Sequence, residues 1–379
     1  MNKLFGYAWF TTVMPELVVW MIYLKSQGWT TAQVAILEGT FTLFSALFEL
    51  PSGMIADKIG RKLSLQIGEL LCVVYLISYF FPQNRVIIFG GFIIFALGLS
   101  LISGSDVALL YDKVGDKQKY LKYLGYFNGI QILGTAFGNS IGGWLSQISW
   151  SFLFVTAIVI RVIAVLLVSS VDEDNIVVED DGPFKVVSVL RFVRESKKFR
   201  RLLVCIAFSE SAITLSYQYG PLLFSKEGLH TGYVSVVFGL ISLLGAAAAV
   251  LAERASNKLG KKLLILLFSV SILSFVLIYT AHSQVLLIVI LFMIPNIIYE
   301  LWSPILESEL QMISRESIRA SAFSLINLVT SLILTLGSYV VGITSEDYSI
   351  LQIVSVGCSL LIVVSFVSYL FLMREYAKE

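Results

Sequence analysis

Long, nearly continuous apolar runs recur from one end of this chain to the other. Each run is about 20 residues long, the length that an α-helix needs to cross the hydrocarbon core of a bilayer. The runs do not alternate apolar and polar residues, as the strands of a membrane β-barrel would. Apolar residues make up 57% of the chain and charged residues 14%, against about 45–50% and about 25% in soluble domains. The sequence therefore predicts an all-α polytopic membrane protein.

Twelve transmembrane helices account for these runs. We place them at approximately residues 5–25, 31–56, 63–82, 86–111, 122–146, 149–171, 201–224, 231–253, 263–281, 284–308, 319–343 and 349–373. An even number of spans puts both termini on one side of the membrane. Of the 27 lysines and arginines, 23 fall in the predicted segments on that side, three fall on the other side, and Arg161 lies within a span. Because basic residues concentrate in cytoplasmic loops, we predict that both termini are cytoplasmic.

A short basic loop with two glycines joins the second span to the third, within residues 49–65 (ELPSGMIADKIGRKLSL). Gly53 lacks a Cβ and would let a neighbouring helix approach closely, and Gly60 suits a turn with positive φ. Asp57 and Arg61 are four residues apart, so they face each other if the helix continues that far. The stretch resembles the loop signature of the major facilitator superfamily, Gly-x-x-x-Asp-Arg/Lys-x-Gly-Arg-Arg/Lys. The chain fills that signature with Gly53, Asp57, Lys58, Gly60, Arg61 and Lys62.

This resemblance implies a fold of two six-helix bundles. We place the first bundle at residues 1–171, a cytoplasmic linker at 172–200 and the second bundle at 201–379. The basic second half of the linker fits a short interfacial helix on the inner membrane surface or a plain charged connection. Residues 257–262 (NKLGKK) echo 57–62 (DKIGRK) at an offset of 200, as expected of an internal repeat in parallel orientation.

A glycine-rich motif lies in the fifth span: Gly134, Gly138, Gly142 and Gly143, with Asn139 between them. Glycines four apart line one face of a helix and allow close helix contact. The motif resembles the antiporter signature of drug/proton exporters, Gly-x-x-x-Gly-Pro-x-x-Gly-Gly, except that Asn139 stands where that signature has Pro. The alternative is an ordinary small-residue packing face, which importers also have. The fourth span also lacks the mid-membrane Arg typical of those antiporters.

The end of the fourth span, residues 103–112 (SGSDVALLYD), is similar to a sequence common in bacterial exporters of the superfamily. The resemblance implies that Asp112 joins Asp57 and Arg61 in a charge cluster that gates transport. It also implies that the helix N-terminus at Arg319 faces Asp57, where the helix dipole would favour the carboxylate.

Ionisable residues inside the spans are the candidate site, because each costs about 2.5–3.5 kcal/mol to insert at a helix centre. Glu16, Glu210 and Glu300 lie in the first, seventh and tenth spans, which line the central cavity in the fold that the chain resembles. Either one or two of them carry the proton and one neutralises a cationic substrate, or each forms a static hydrogen bond between helices. Arg161 must pair with an acid or face water; we expect a structural pair with Glu69 or Asp106, and the alternative is contact with a substrate anion. The rest of the candidate cavity comprises Arg161, Asp106, Asn128, Gln131, Tyr217, Gln218, Asn296 and Tyr299.

The resemblance implies a secondary active transporter of the cytoplasmic membrane, not an enzyme. We expect proton-coupled efflux of a small amphipathic or drug-like compound. The alternatives are uptake of a small nutrient by proton symport, and a lipid-moving or sensing relative of the same fold. We expect a monomer in the lipid bilayer that handles a small-molecule substrate and protons. We expect no cofactor, metal or nucleic-acid partner.

Overall fold

The computed structural model of the chain describes residues 1–172, 192–281, 284–314 and 319–376, apart from the side chains at positions 50, 57, 117, 118, 259, 261 and 319–321. The numbered elements within these ranges are all α-helices. The helices are α1 (Asn2–Thr12), α2 (Trp20–Ser26), α3 (Thr31–Ile59), α4 (Arg61–Ser78), α5 (Arg85–Ile102), α6 (Ser105–Val114), α7 (Lys117–Ile148), α8 (Trp150–Ser169), α9 (Lys197–Lys226), α10 (Thr231–Leu259), α11 (Lys261–Thr280), α12 (Val285–Ile313), α13 (Arg319–Thr344) and α14 (Ile350–Tyr376). Most of the predicted linker, residues 173–191, lies outside the described residues.

The predicted spans coincide with these helices, but the first and fourth were wrongly predicted to be unbroken. The first divides into α1 and α2, with residues 13–19 between them. Pro15 lies in this gap and has no N–H with which to continue the hydrogen bonds of α1. The fourth divides into α5 and α6 at Ser103 and Gly104, where Gly104 has a φ of 79°. Both breaks expose backbone groups that a continuous helix would satisfy internally.

Eight stretches of the described residues are long and apolar enough to cross a membrane by length and composition. They correspond to the second, fourth, sixth and eighth to twelfth predicted spans. The other four spans are α1 with α2, α4, α7 and α9, which are broken or carry more polar residues. The candidate acids Glu16 and Glu210 lie in two of these four more polar spans, the first and the seventh.

The helix boundaries repeat at a constant distance of 200 residues. Helices α3 and α10 begin and end 200 residues apart, and the same distance separates the first residues of α4 and α11, of α5 and α12, and of α8 and α14. Gly28 and Gly228 precede equivalent helices with φ of 88° and 87°, and Gly60 and Gly260 also have positive φ. The internal repeat seen in two hexapeptides thus extends through most of each half.

The described residues divide into two compact units. Unit 1 comprises the described parts of Met1–Asp180 and His230–Leu243, and unit 2 those of Asp181–Leu229 and Leu244–Glu379. In unit 1, α4 packs against α3, α5 and α8, while α1 packs against α7 and α8. Its core holds stacked rings, including Tyr75 on Phe95 at 4.0 Å between centroids and Tyr79 on Phe154 at 4.5 Å. In unit 2, α9 packs against α12, α13 and α14, and Trp302 is fully buried beside Phe268.

Candidate functional site

The basic loop between α3 and α4 is closed by an ion pair. Helix α3 ends at Ile59, and Gly60 has a φ of 94° and a ψ of 148°, so Arg61 begins a new helix. Its guanidinium pairs with the Asp112 carboxylate and donates to the Ala108 carbonyl at 2.9 Å. The two charged side chains are 20% and 17% exposed. This contact ties the start of α4 to the end of α6.

The structure differs from two sequence-based expectations about this loop. Because the helix stops before Gly60, Asp57 and Arg61 do not share one helix face; the Asp57 side chain itself lies outside the described residues. The close helix approach expected at Gly53 is not seen among the described residues, where no atom lies within 4 Å of the position that a Cβ would take there. Lys58 is exposed and Lys62 is half-buried. The Arg319 side chain, expected near Asp57, is also outside the description.

The equivalent loop in unit 2 keeps the turn but not the acids. Gly260 separates α10 from α11 with a φ of 54°. The positions 200 residues after Asp57 and Asp112 hold Asn257 and Met312. The charge pair of unit 1 therefore has no counterpart of the same kind in the repeat.

The glycine-rich face of α7 lies against the break in the first span. A Cβ at Gly134 would come 2.3 Å from the Thr12 hydroxyl oxygen, and one at Gly138 would come 2.7 Å from the Met14 nitrogen. At Gly142 it would come 1.9 Å from the Pro15 carbonyl oxygen. These contacts leave no room for a side chain, so three glycines let α7 pack directly on residues 12–15.

The fourth glycine and its neighbour Asn139 contact the first part of α10, within unit 1. The Gly143 N–H donates to the Ser235 hydroxyl at 2.5 Å, and a Cβ there would lie 2.1 Å from the Thr231 carbonyl oxygen. Asn139 is buried and donates to the Ser242 hydroxyl at 3.2 Å. The residue that departs from the antiporter signature therefore makes a helix-to-helix hydrogen bond that Pro could not make.

A buried ion pair joins α4 and α8. Arg161 Nη1 lies 2.8 Å from Glu69 Oε2, and the side chains are 2% and 0% exposed. Tyr7 and Thr11 of α1 donate to the other carboxylate oxygen at 3.1 and 2.5 Å. Of the two expected partners of Arg161, the structure pairs it with Glu69.

Glu16 lies in the gap between α1 and α2 and is 1% exposed. Its Oε2 atom has no hydrogen-bond partner among the described residues, and neither has Nη2 of Arg161. The candidate residues Glu16 and Arg161 both lie in unit 1.

Asp106 forms a second polar contact in unit 1. It is 7% exposed and accepts from Gln131 Nε2 at 2.9 Å and from the Val107 N–H at 2.7 Å. The bond from Gln131 joins α6 to α7, whereas the Val107 bond lies within α6. The other candidate amide on α7, Asn128, is exposed.

The candidate residues of unit 2 lie on α9 and α12. Glu210 is partly buried and accepts from the Thr330 hydroxyl of α13 at 3.3 Å. Glu300 is exposed, and its Cγ would lie 3.0 Å from a Cβ at Gly245.

Three further candidates in unit 2 differ in their surroundings. Asn296 is 3% exposed, accepts from Ser216 at 3.3 Å and donates to the Phe292 carbonyl at 2.9 Å. Its amide is therefore satisfied within the unit. Tyr217 and Gln218 are partly buried, and Gln218 Oε1 has no hydrogen-bond partner among the described residues.

Sequence reasoning missed the hydroxyl groups that complete these clusters. Tyr7 and Thr11 are four residues apart and so share one face of α1, but many polar residues in the chain have that spacing. Ser235 and Ser242 are seven apart on α10 and meet α7 for the same reason. No group of three or more His, Cys, Asp or Glu side chains in the described ranges is arranged to hold a metal ion.

Repeated helical bundles with buried charges define a multi-pass protein of the cell membrane with a transporter fold. The chain belongs to the Major Facilitator Superfamily, whose family model matches residues 4–338. The family and the fold are those of transporters rather than of enzymes.

Two bacterial relatives match part of the chain. The uncharacterized MFS-type transporter YxaM of Bacillus subtilis (strain 168) is 26% identical over 244 residues, which are 60% of this chain and 59% of YxaM. The quinolone resistance protein NorA of Staphylococcus aureus (strain MRSA252) is 26% identical over 146 residues, 38% of this chain and 37% of NorA. The chain thus matches less than two thirds of the length of either relative.

Solved structures share the fold over nearly the whole chain. The nucleoside transporter NupG superimposes with a TM-score of 0.78 at 14% identity and covers 98% of both chains. The D-xylose-proton symporter superimposes with a TM-score of 0.73 at 14% identity, covering 98% of this chain and 94% of the other. At this identity the likeness concerns the fold alone.

Proposed function

We propose that the protein is a secondary transporter that exports a small amphipathic compound across the cytoplasmic membrane in exchange for protons. Residues 1–171 and 201–379 would be the two moving halves, joined by a linker at 172–200, with both termini in the cytoplasm. The halves would open the central site to one side of the membrane at a time.

The proposal rests chiefly on buried carboxyl groups in both units. Glu16 in unit 1 is 1% exposed, and Glu210 in unit 2 is partly buried beside Thr330. An acid inside a membrane bundle is costly to keep charged, so a proton or a cationic substrate can be exchanged there. Tyr217 and Tyr299 would add aromatic surface, which attracts cations and packs against apolar groups.

Two observations favour export. The glycine motif of α7 resembles the signature of drug/proton exporters, and NorA, a quinolone resistance protein, matches part of the chain. Proton-coupled uptake of a nutrient is the second candidate. It is favoured by Asn139 in place of the signature's Pro and by the missing Arg in the fourth span.

Inverted membrane vesicles test the direction and the coupling. Respiration would acidify the vesicle interior, and a pH-sensitive dye would report proton release on adding cationic, neutral or anionic amphiphiles. We expect one class of compound to dissipate the gradient with the intact protein. The response should be lost in at least one of Glu16→Gln, Glu210→Gln and Glu300→Gln.

The matched control is Glu346→Gln, which neutralises an exposed acid in the turn after α13. It should respond as the intact protein does. If no compound dissipates the gradient, and a labelled nutrient instead accumulates in right-side-out vesicles driven by external protons, export is wrong and uptake replaces it. An equal response in all three acid variants would leave exchange in place but remove these acids from it.

A further inference from the structure

One face of α14 is apolar and exposed along most of the helix. Its exposed residues recur every three or four positions: Val356, Leu360, Val363, Val367, Leu370 and Phe371. This spacing keeps them on one side of α14, while buried residues between them, such as Cys358 and Ile362, belong to the side that packs on α9. A long exposed apolar stripe on a membrane-spanning helix faces the acyl chains of the bilayer.

Arg374 continues this stripe at its end. It lies seven residues after Val367, on the same side of α14, and is exposed. Residues 350–373 carry no charge and are about 36 Å long as a helix, whereas the hydrocarbon core is about 30 Å thick. Arg374 is therefore placed where the acyl chains end and the phosphates of the headgroups begin.

The start of α9 lies beside this end of α14 and brings further cations to it. Arg201 Nη1 pairs with Glu375 at 2.8 Å and also donates to the Phe371 carbonyl. Lys198 Nζ lies 4.7 Å from the centroid of the Tyr376 ring. These contacts place the first turns of α9 and the last turn of α14 in one cluster within unit 2.

Phe371 lies between two guanidinium groups. The Cζ atoms of Arg201 and Arg374 are 5.3 and 5.5 Å from the centroid of its ring, within the range of a cation–π interaction. Arg201 is already neutralised by Glu375. The charge on the lipid-facing side of the ring is therefore that of Arg374.

The cluster as a whole is basic and is anchored to the helices. Residues 192–201 and 371–376 contain six basic and two acidic residues. Phe192 is buried and packs on Phe199 with 5.0 Å between ring centroids, and Ser196 caps α9 by accepting from the Phe199 N–H at 3.2 Å. Basic clusters of this size beside a membrane helix attract anionic headgroups, and a guanidinium can bind phosphate through two hydrogen bonds.

We propose that the start of α9 and the end of α14 form a binding site for an anionic phospholipid. Lys198 and Arg374 hold the phosphate, with the exposed Lys197 and Arg200 nearby, and an acyl chain lies along the apolar stripe from Phe371 towards the membrane centre. The occupant is a lipid rather than a soluble anion because the basic cluster and the apolar stripe are continuous. This inference goes beyond the proposed function, since it needs neither a direction of transport nor a coupled ion.

Native mass spectrometry of the purified full-length protein tests the site. The protein would be titrated in detergent with phosphatidylglycerol or with phosphatidylcholine of the same acyl chains. We expect tighter binding of phosphatidylglycerol, because it alone has a net negative charge. Lys198→Gln with Arg374→Gln should weaken that binding by about 25-fold, the product of about fivefold for each basic residue near an anionic surface.

The matched control is Arg254→Gln with Lys258→Gln. It also removes one exposed arginine and one exposed lysine from unit 2, but on α10, so it should bind phosphatidylglycerol as the intact protein does. Arg374→Gln alone changes a single exposed residue and should weaken binding by about fivefold; it serves as the test if the double variant does not fold. Lys198→Arg with Arg374→Lys keeps both charges and should preserve the binding.

Glycerol phosphate, a water-soluble headgroup, distinguishes a lipid from a free anion. It lacks acyl chains, so at equal concentration it should leave bound phosphatidylglycerol in place. Displacement would show a site for soluble anions and overturn the inference. So would equal binding of the two lipids, equal loss in the control on α10, or loss in the variant that keeps both charges. None of these results depends on transport, which the vesicle assay tests separately.

Discussion

Replacing Gly142 with alanine should open the contact between α7 and the break in the first span. The added Cβ would lie 1.9 Å from the Pro15 carbonyl oxygen, about 1.5 Å short of the 3.4 Å at which ordinary contact begins. The obstacle is backbone, which cannot rotate aside as a side chain can. Either α7 or residues 13–19 must move.

Two opposing terms decide the size of the effect. Alanine is a better helix former than glycine by about 1 kcal/mol, while overpacking a well-packed interior costs about 1–3 kcal/mol and occasionally more. Gly129 separates these terms, since it lies in the same helix with no atom of the described structure within 4 Å of its Cβ position. Helix propensity changes equally in Gly129→Ala and Gly142→Ala. The difference between the two variants therefore isolates the packing cost, about 1–3 kcal/mol.

The assay is thermal unfolding of the two purified variants in one detergent, followed by tryptophan fluorescence. We expect Gly129→Ala to unfold at or slightly above the temperature of the intact protein and Gly142→Ala several degrees below it, since ~1 kcal/mol corresponds to ~2–4 °C in domains of similar size to one unit. Equal unfolding temperatures for the two variants would refute the close packing of α7 on Pro15.

Two other substitutions test the turns and the motif. Gly60→Ala should lower stability by about 1–3 kcal/mol, because a φ of 94° with a ψ of 148° is accessible essentially to glycine alone; Gly53→Ala, in open helix, is its control in the same unfolding assay. Asn139→Pro restores the residue of the antiporter signature but loses the bond to Ser242 and one helical hydrogen bond, so unfolding should be easier by about 3 kcal/mol. An unchanged unfolding temperature would contradict the positive φ of Gly60 in the first variant, or the helical hydrogen bonds of residue 139 in the second.

The positions of the helices could be predicted from the sequence because long apolar runs, glycines and basic loops determine structure within a few residues of themselves. Gly60 and Gly260 marked turns by residue type alone, and both have positive φ. The break in the first span was missed, although Pro15 signals it, since a membrane helix tolerates Pro when neighbours satisfy the freed groups. Here Arg161, which donates to the Thr11 carbonyl from 150 residues away, is one of those neighbours.

The candidate site was harder to predict because its contacts join distant helices. Arg161 had two plausible acids, and only packing of α4 on α8 selects Glu69. Asn296 was assigned to a cavity by its helix, but it faces the interior of unit 2 and bonds Ser216. Sequence periodicity predicts which residues share one face of a helix. Which helix packs against that face depends on how all the helices are arranged.

The constant offset of 200 residues has a consequence for loop length. One inserted residue turns everything after it in a helix by about 100°, so the tight connections at Gly28, Gly60 and their later counterparts fix which face of the next helix looks inward. The two halves can therefore be compared position by position. Glu69 corresponds to Ser269 and Arg161 to Leu361. Introducing Ser269→Glu and Leu361→Arg together would test whether the second half can form the same charge pair without a change in its helix register.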